Sequence, residues 1–321
     1  MSNEQRARGS LDVSARLGEL IAMRYGMTVR AIEPAPRGWS AETYVVTATD
    51  GGRCFVKVYE ADRVPRNALA GLSAVAEMRR RGFDRGSAPI ASNEGARYAL
   101  LGRRKVVVFE YIEGAQTADF DAAALGALIA QVHELTPAIT TPVAREAFDS
   151  PYADELWTTL DRAREASGDE TALALRALAI ETRNELDRLW LAFDEVRRRC
   201  FDASFDMVLT HGDALWNVMT DGTGAIHLVD WDDLLLAPPE RDLWSFDDQP
   251  AFLQAYHAVR GDRPTSALAT TFYVYERYFS EWLGFARTIL DGDAAERRVE
   301  ALALLRGPWM TLLHARIEAA R

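Results

Sequence analysis

The sequence has few cysteines, no long apolar run and little positive charge, and each shortage excludes a class of protein. Its 321 residues include only Cys54 and Cys200, which are far apart and lack CxxC spacing, so neither a disulfide framework nor a zinc site is expected. No stretch approaches the roughly 18 apolar residues of a membrane-spanning helix. The polar first residues, MSNEQRARGSLD, lack the apolar segment of a signal peptide. We therefore expect a cytoplasmic protein with no membrane partner.

Acidic residues outnumber basic ones by 48 to 37, which gives a net charge of −11. Nucleic acid is not expected as a partner, because a phosphate backbone demands a basic surface. The acid is concentrated between Asp202 and Asp248, where eleven acidic residues accompany one basic residue, Arg241. This excess either keeps the protein soluble or attracts a cationic substrate to that half of the chain. The sequence leaves both interpretations open.

Two β-rich runs in the first third predict a hairpin that carries a lysine. Thr43–Thr49 and Cys54–Tyr59 flank a turn of sequence Asp-Gly-Gly, which is a strong hairpin signal. Lys57 lies within the second run. It is either an edge residue whose stem packs along the sheet or a cation aimed into a cleft.

A helix predicted over Pro65–Arg81 follows the hairpin and contains a single acid, Glu77. A strand lysine followed by such a helix is the layout of a lysine–glutamate pair that positions nucleotide phosphates. The alternative for Glu77 is an exposed carboxylate that pairs with Arg80 or Arg81 along the helix.

Two further features of the first third concern nucleotide binding. No GxxxxGKS or GxxxxGKT pattern occurs, which excludes a P-loop enzyme. Ser40 in the loop Arg37–Glu42 nevertheless offers a hydroxyl and neighbouring amides for a phosphate.

The strand that ends in VVVFEY breaks at Ile112. Adenine is expected to lie against this crossover, bonded to the backbone near Glu110 and Ile112 and flanked by Phe109. The alternative is a plain strand followed by a linker.

Helical patterns dominate the second half. The apolar spacing in Ala122–Leu135 predicts a buried helix, in which His133 is expected to cap the C-terminal carbonyls. Residues 151–165 and 171–200 indicate further helices. The many aromatic residues of 272–285 are expected in the core rather than in a substrate pocket.

Residues 207–244 contain two short apolar runs joined by the turn Asp221–Gly224, and each run ends in polar residues. Asp213 and Asn217 follow the first run, and Asp230 follows the second. Two strands joined by a glycine turn would bring these polar ends to one edge. A general base, an amide ligand and a metal-binding carboxylate are the parts that phosphoryl transfer from a nucleotide–magnesium complex requires.

Each polar residue of this stretch can be given a role in such a reaction. Asp213 is the candidate base, which would accept a hydrogen bond from a substrate hydroxyl. Asn217 and Asp230 are candidate ligands of Mg²⁺, and Lys57 would balance the α- and β-phosphates. Supporting contacts are expected from His211, Asp232 and Asp242.

These motifs stand in a fixed order along the chain: Lys57 in CFVKVY, Glu77, FEYIEG (109–114), LGALIAQVHEL (125–135), HGDALWN (211–217), VDWDD (229–233) and ERDLW (240–244). In that order they resemble the aminoglycoside phosphotransferase/choline kinase family, small-molecule relatives of the protein kinases. The resemblance implies an α+β, bilobal protein-kinase-like fold. It implies a small N-lobe with an antiparallel sheet over residues 1–111, a larger, mostly helical C-lobe over 112–321, and a hinge at about 109–114.

The resemblance also implies a function. A small-molecule O-phosphotransferase of this kind transfers the γ-phosphate of ATP or GTP, with Mg²⁺, to a hydroxyl of an antibiotic and so confers resistance. The acceptor is expected to be a small hydroxylated molecule, cationic if the acidic stretch attracts it, and the enzyme a monomer or homodimer.

Three alternatives stay open. A metabolite kinase would act on a sugar, an amino alcohol or a homoserine-like substrate, and a nucleotide-binding pseudokinase would transfer nothing. A metal-dependent hydrolase built on Asp213, Asp230 and Asp232 would leave Lys57 and Glu77 without a role.

One departure from the family concerns the catalytic loop. The family usually places its asparagine five residues after the base, whereas Asp213 and Asn217 are four apart. Either the loop tightens and Asn217 still reaches the metal, or this ligand is weakened.

Overall fold

The computed structural model describes residues 3–35, 41–61, 64–65, 67–116, 119–292 and 294–320, with the backbone alone for residues 3–13. Strands are concentrated in the first third and between residues 208 and 237, and helices account for most of the rest. This arrangement confirms the expected α+β class. No helix within these ranges is long and apolar enough to cross a membrane.

The helices of the described residues are α1 (Asn3–Tyr25), α2 (Leu72–Arg80), α3 (Ala122–Glu134), α4 (Ala153–Arg164), α5 (Glu170–Asp202), α6 (Glu240–Leu243), α7 (Pro250–Arg260), α8 (Ala267–Asp291), α9 (Ala295–Leu305) and α10 (Pro308–Ala319). The strands are β1 (Val29–Pro34), β2 (Glu42–Ala48), β3 (Arg53–Tyr59), β4 (Ala99–Leu101), β5 (Arg104–Glu110), β6 (Gly114–Gln116), β7 (Val208–Thr210), β8 (Val218–Asp221), β9 (Ile226–Leu228) and β10 (Leu235–Ala237).

A five-stranded antiparallel sheet of order β1-β2-β3-β5-β4 forms the first third. The predicted hairpin is confirmed as β2 and β3, and Gly51 takes a φ of 90° in its turn, a conformation that glycine adopts without strain. Side chains alternate between the two faces of a strand. Val56 and Val58 therefore pack with α1, whereas Lys57 and Tyr59 lie on the opposite face, where Tyr59 joins a second apolar cluster.

Helix α2 is shorter than the prediction of Pro65–Arg81. It begins at Leu72, and residues 67–71 form turns instead. Gly71 packs closely against Leu234, since a Cβ there would lie 3.1 Å from the Leu234 Cβ. The helix ends before Gly82, whose φ of 96° breaks the helical path.

The glycine turn of the central stretch joins only one of the two predicted strands. It connects β8 to β9, the second predicted run, while β7, the first predicted run, pairs with β10. Strand β8 was missed because its four residues directly follow the polar turn and carry no long apolar run. The Leu228 amide donates to Arg85 O at 2.8 Å, and the Ser87 amide donates to Leu228 O at 3.2 Å. The catalytic strands are thereby joined to the segment that borders β5.

The buried helix predicted over Ala122–Leu135 is confirmed as α3. The Asp121 side chain caps it by accepting the amides of Ala123 and Ala124 at 2.9 and 3.1 Å. Gly126 allows α3 and α7 to approach closely, because a Cβ at this position would overlap the Phe252 carbonyl. Strands β7 and β9 pack with this helix in a shared apolar core.

The chain divides into two compact units, one formed by Met1–Arg145 with Met207–Arg263 and one by Glu146–Asp206 with Pro264–Arg321. The first unit contains the five-stranded sheet, α3 and the motifs of residues 207–244. The predicted boundary between lobes 1–111 and 112–321 stays a prediction, since both sides of it fall within the first unit.

The second unit consists of helices packed around aromatic side chains. Phe193 of α5 stacks on Tyr275 and Phe279 of α8, with ring centroids 5.6 and 5.7 Å apart. Both α8 rings are at most 1% exposed. The expectation that the aromatic residues of 272–285 belong to the core is confirmed.

Candidate active site

The turn that carries Asp213 is held by backbone hydrogen bonds to a buried carboxylate. His211, Gly212 and Asp213 follow β7, and the amides of His211 and Gly212 donate to Asp242 at 2.8 and 2.6 Å. Gly212 has a φ of 86°, and a Cβ there would overlap the guanidinium of Arg241. The backbone conformation therefore favours glycine, and a larger residue would also have to displace the Arg241 guanidinium.

Asp242 lies inside α6 and supports the site through that turn. Its side chain is fully buried and also bonds to His133 Nε2 at 3.0 Å. Burial raises the pKa of the Asp242 carboxyl, but the hydrogen bond and charge of His133 outweigh burial, and the pKa ends below its usual range. An ionised carboxylate therefore accepts the two amides of the turn.

His133 has a different structural role from the one predicted. It was expected to cap the carbonyls of α3, but its ring bonds to Asp242 on one side and to Tyr256 Oη on the other, at 2.8 Å. The reason is that His133 is fully buried and finds hydrogen-bond partners on α6 and α7, in Asp242 and Tyr256. The sequence signal was present, since His133 belongs to the motif LGALIAQVHEL.

His211 braces the catalytic turn, as the sequence predicts. Its Nε2 lies 2.9 Å from Val229 O, and its Nδ1 lies 3.3 Å from the Asp213 amide. The amide can only donate, so Nδ1 accepts and Nε2 carries the proton that bonds to Val229. The ring thus joins the turn to the residue that precedes Asp230.

The one-residue-short loop is accommodated by a tight 3-10 turn at Ala214–Trp216. Asn217 Nδ2 donates to the carbonyl of Asp213 at 2.8 Å and to its carboxylate at 3.0 Å. The Val229 amide donates to Asn217 O at 3.0 Å, which brings Asn217 alongside the strand that leads to Asp230. The Asn217 side chain thereby keeps its place beside the candidate base, and its Oδ1 has no hydrogen bond within the described ranges.

Asp230 lies directly opposite Lys57. Its φ of 65° is rare for a residue other than glycine, and strained conformations of this kind are concentrated at functional sites. Lys57 Nζ lies 2.6 Å from Asp230 Oδ1 and 3.1 Å from Asp232 Oδ1. Tyr59 Oη donates to both oxygens of Asp232, at 2.8 and 3.0 Å.

The charges of this group support one another. Burial lowers the pKa of Lys57, but the two carboxylates outweigh burial and the pKa ends above its usual range. Burial raises the pKa of Asp230, and the Lys57 charge reverses that shift. Burial raises the pKa of Asp232 to about 6, opposed by Lys57 and reinforced by Asp230. Lys57 and Asp230 are thus a charged pair.

The predicted pair between Lys57 and Glu77 is not formed. The Glu77 carboxylate is instead bound by Thr141, whose hydroxyl and amide donate at 2.7 and 2.9 Å, by Thr140 at 3.1 Å and by Arg81 at 3.0 Å. The hydrogen bonds of Thr141 are the main reason that the pKa of Glu77 falls to about 2. The alternative of an Arg81 contact is present, but Glu77 is buried rather than exposed.

The expected adenine crossover is only partly free to bind a base. The Glu110 amide donates to Ala88 O at 2.9 Å, and its carbonyl accepts from Ser87 Oγ at 2.8 Å. The Ile112 backbone has no such bond within the described ranges. Phe109 is buried, with its ring centroid 5.9 Å from Lys57 Nζ. Ser40, the candidate phosphate-binding residue, lies outside the described residues.

The donor set fits a metal bound jointly with substrate. The described residues contain no group of three or more His, Cys, Asp or Glu that would hold an ion alone. Magnesium commonly takes one or two protein oxygens and completes its shell with phosphates and water. Asn217 Oδ1 and the Asp230 oxygen that Lys57 does not bind are hard oxygen donors of this kind.

Comparison with known proteins gives a consistent result. The model of the phosphotransferase enzyme family (APH) matches residues 31–269. A spectinomycin phosphotransferase, APH(9)-Ia, in complex with ADP and spectinomycin is similar in fold, with a TM-score of 0.72, 19% identity and coverage of 91% of this chain and 93% of that one. A microcompartment-associated aminopropanol kinase has a TM-score of 0.67, 16% identity and coverage of 95% and 98%.

The choline kinase LicA from Streptococcus pneumoniae has a TM-score of 0.58, 13% identity and coverage of 92% and 98%. A sequence comparison with curated proteins found no match. These fold similarities confirm the protein-kinase-like architecture. The family match spans well over half of the chain, and the protein belongs to the phosphotransferase enzyme family, as a phosphotransferase with an alcohol group as acceptor.

Proposed function

We propose that the protein transfers the γ-phosphoryl group of ATP or GTP to a hydroxyl of a small antibiotic. One observation carries this proposal: the shortened loop still holds Asn217 against the Asp213 carboxylate at 3.0 Å. The candidate base and the candidate amide ligand are therefore adjacent despite the missing residue, which supports the proposal. A pseudokinase would not need that arrangement, nor the charged pair of Lys57 and Asp230.

Each residue then has a defined part in the transfer. Asp213 accepts the proton of the acceptor hydroxyl as its oxygen forms a bond to the γ-phosphorus. The bond from that phosphorus to the β–γ bridging oxygen breaks, and the nucleoside diphosphate leaves with this oxygen. Lys57 contacts the α- and β-phosphates. Asn217 and Asp230 would hold Mg²⁺, which neutralises phosphate charge when it is bound.

The nature of the acceptor is supported by the similar folds. The structure with a TM-score of 0.72 belongs to a phosphotransferase in complex with spectinomycin and ADP, which favours an antibiotic acceptor and a nucleotide donor. The aminopropanol kinase makes a metabolite kinase for an amino alcohol the second candidate. We place either activity in the cytoplasm, in a monomer or homodimer with no nucleic-acid partner.

The acidic stretch between Asp202 and Asp248 favours a cationic acceptor within either class. Eleven acids in this stretch face one arginine, and a field of that sign raises the local concentration of cations. Salt screens such attraction over about 10 Å at 0.1 M. The KM of a cationic acceptor is therefore expected to rise with ionic strength, and an unchanged KM would count against attraction by this stretch.

The test is turnover against a panel of acceptors. Purified protein is incubated with Mg²⁺, ATP or GTP and, in turn, an aminocyclitol, an aminoglycoside, a macrolide, aminopropanol and choline, and the acceptor is analysed by mass. Phosphorylated antibiotic supports the proposal, and product from the amino alcohols alone supports the metabolite kinase. Nucleotide binding without product from a broad panel would favour the pseudokinase.

A matched pair of variants shows where the chemistry occurs. Asp213→Asn removes the base and is expected to lower kcat by about 10²–10⁴-fold, the usual contribution of general base catalysis. Asp233→Asn makes the same chemical change at an exposed carboxylate of the same stretch and serves as the control. Ester cleavage that needs metal but no nucleotide would contradict phosphotransfer altogether.

A further inference from the structure

The Lys57 ammonium has two carboxylate neighbours. The proposed reaction would use one of them, Asp230, to bind the metal. Asp230 is the nearer, at 2.6 Å, and Asp232 lies at 3.1 Å. As a ligand of Mg²⁺, Asp230 would direct its charge toward the metal. Lys57 then pairs with the phosphates while nucleotide is bound, and a second carboxylate would hold it in the cleft before binding and after release, because a buried ammonium without a partner is costly.

Asp232 has the contacts expected of that second carboxylate. Its side chain is buried, and both of its oxygens accept the hydroxyl of Tyr59, at 2.8 and 3.0 Å. Lys57 and Tyr59 are two residues apart on β3, so their side chains lie on the same face of the sheet. Tyr59 is itself only 1% exposed. Strand β3 therefore carries both Lys57 and Tyr59, the residue that fixes the Asp232 carboxylate beside the lysine.

Glu77 cannot take this part without losing its own contacts. Five donors bind its carboxylate: the amide and hydroxyl of Thr140, the amide and hydroxyl of Thr141, and Arg81. A carboxylate offers about four lone-pair sites, so both oxygens are saturated. Pairing with Lys57 would leave the amides of the 140–141 loop without their acceptor.

We propose that Asp232, fixed by Tyr59, is the positioning residue for Lys57, and that Glu77 instead fastens the 140–141 loop to α2. This assignment rests on the proposed phosphotransfer for its functional meaning. The distances agree with it, since Asp230 and Asp232 lie 2.6 and 3.1 Å from Lys57 Nζ. Tyr59 is a residue that the sequence motifs do not single out.

The chain offers a direct test, because Lys57 and Lys105 are its only lysines. In NMR spectra, protein that carries ¹³C-labelled lysine gives one ε-CH₂ signal for each lysine. When the ammonium group is held in place, the two protons on that ε-carbon are inequivalent. The measurement uses nucleotide-free protein in an Asp230→Ala background, where Asp232 is the remaining neighbour. We expect Lys57 to stay inequivalent there, to become equivalent on adding Asp232→Asn, and to be unaffected by Glu77→Gln.

Nucleotide affinity provides the functional readout, and Tyr59→Phe is the mildest variant because it removes only a hydroxyl. In the otherwise wild-type protein, Tyr59→Phe is expected to raise the Kd of ATP–Mg²⁺ about three- to tenfold, which is the size of one typical net hydrogen bond. Asp232→Asn is expected to raise it about tenfold or more. Glu77→Gln is expected to lower the melting temperature while the Kd changes less than twofold.

Failure of this assignment and failure of the proposed function give different results. A Lys57 signal that collapses with Glu77→Gln but survives Asp232→Asn would overturn the assignment, with or without nucleotide. A Kd raised tenfold by Glu77→Gln and unchanged in Tyr59→Phe would do the same. Wild-type protein that binds no nucleotide would reject the proposed function, and the lysine signals would still show which carboxylate holds Lys57.

Discussion

The buried carboxylate beneath the catalytic turn provides the strongest single prediction. Asp242→Asn preserves the shape of the side chain but replaces one acceptor oxygen by an amino group. One oxygen of Asp242 accepts the Gly212 amide, and the other accepts the His211 amide and His133. A ring nitrogen of histidine can either donate or accept, so His133 can adapt to either orientation of the new amide group. The backbone amides cannot adapt, so one of them loses its acceptor in either orientation.

The cost follows from that loss. A buried donor without an acceptor costs about 1–3 kcal/mol, and hydrogen bonds to a charged acceptor exceed those to a neutral one by about 1 kcal/mol. We expect a destabilisation of about 2–4 kcal/mol. For a unit of this size, that corresponds to a fall in melting temperature of roughly 4–16 °C. Because the turn positions Asp213, kcat is expected to fall with little change in the Kd of nucleotide.

The assay is thermal and urea unfolding of Asp242→Asn beside Asp233→Asn. The control makes the same chemical change at an exposed side chain, where a shift within about 0.5 kcal/mol is expected. If both variants unfold at the wild-type midpoint, the Asp242 carboxylate does not support the turn, and this account of the turn is refuted.

Two further changes test neighbouring features. The pKa of Glu77 is lowered to about 2 in the folded protein, so its stabilising effect is complete above the unfolded value of about 4.3 and is lost as the pH falls toward 2. The difference in unfolding free energy between wild type and Glu77→Gln is therefore expected to shrink as the pH falls through this range, which acid unfolding curves measure. A constant difference would refute the role of the Thr140 and Thr141 contacts. Gly212→Ala places a Cβ where φ is positive and where the Arg241 guanidinium lies. The substitution is expected to lower the free energy of unfolding by at least about 1–2 kcal/mol and to lower kcat. A fully active, stable variant would contradict the close packing.

Local patterns were enough to predict several of the elements, although they missed β8 and made α2 too long. The hairpin around Lys57, the buried helix α3 and the polar ends of the central strands all follow from spacing within short windows. Residue types and order also indicated the phosphotransferase family, since the required base, amide and carboxylate are close in sequence.

The contacts that the sequence did not predict are those made between distant segments. Glu77 bonds to Thr140 and Thr141, and the arrival of that loop at α2 depends on the packing of α3 and not on any local pattern. Asp242 and Tyr59 are in the same situation, because their partners lie at least thirty residues away. The tight turn before Asn217 and its contacts with Asp213 likewise could not be read from the spacing of the two residues.

The central claim is direct transfer of a phosphoryl group with Asp213 as the base. The most direct measurement is a single-turnover reaction with nucleotide labelled with ¹⁸O at the non-bridging γ-oxygens, followed by mass analysis of the acceptor. We expect the acceptor to gain the fully labelled phosphoryl group, at a rate constant that Asp213→Asn lowers by about 10²–10⁴-fold. Label that appears only in free phosphate, or a rate unchanged by Asp213→Asn, would contradict the account.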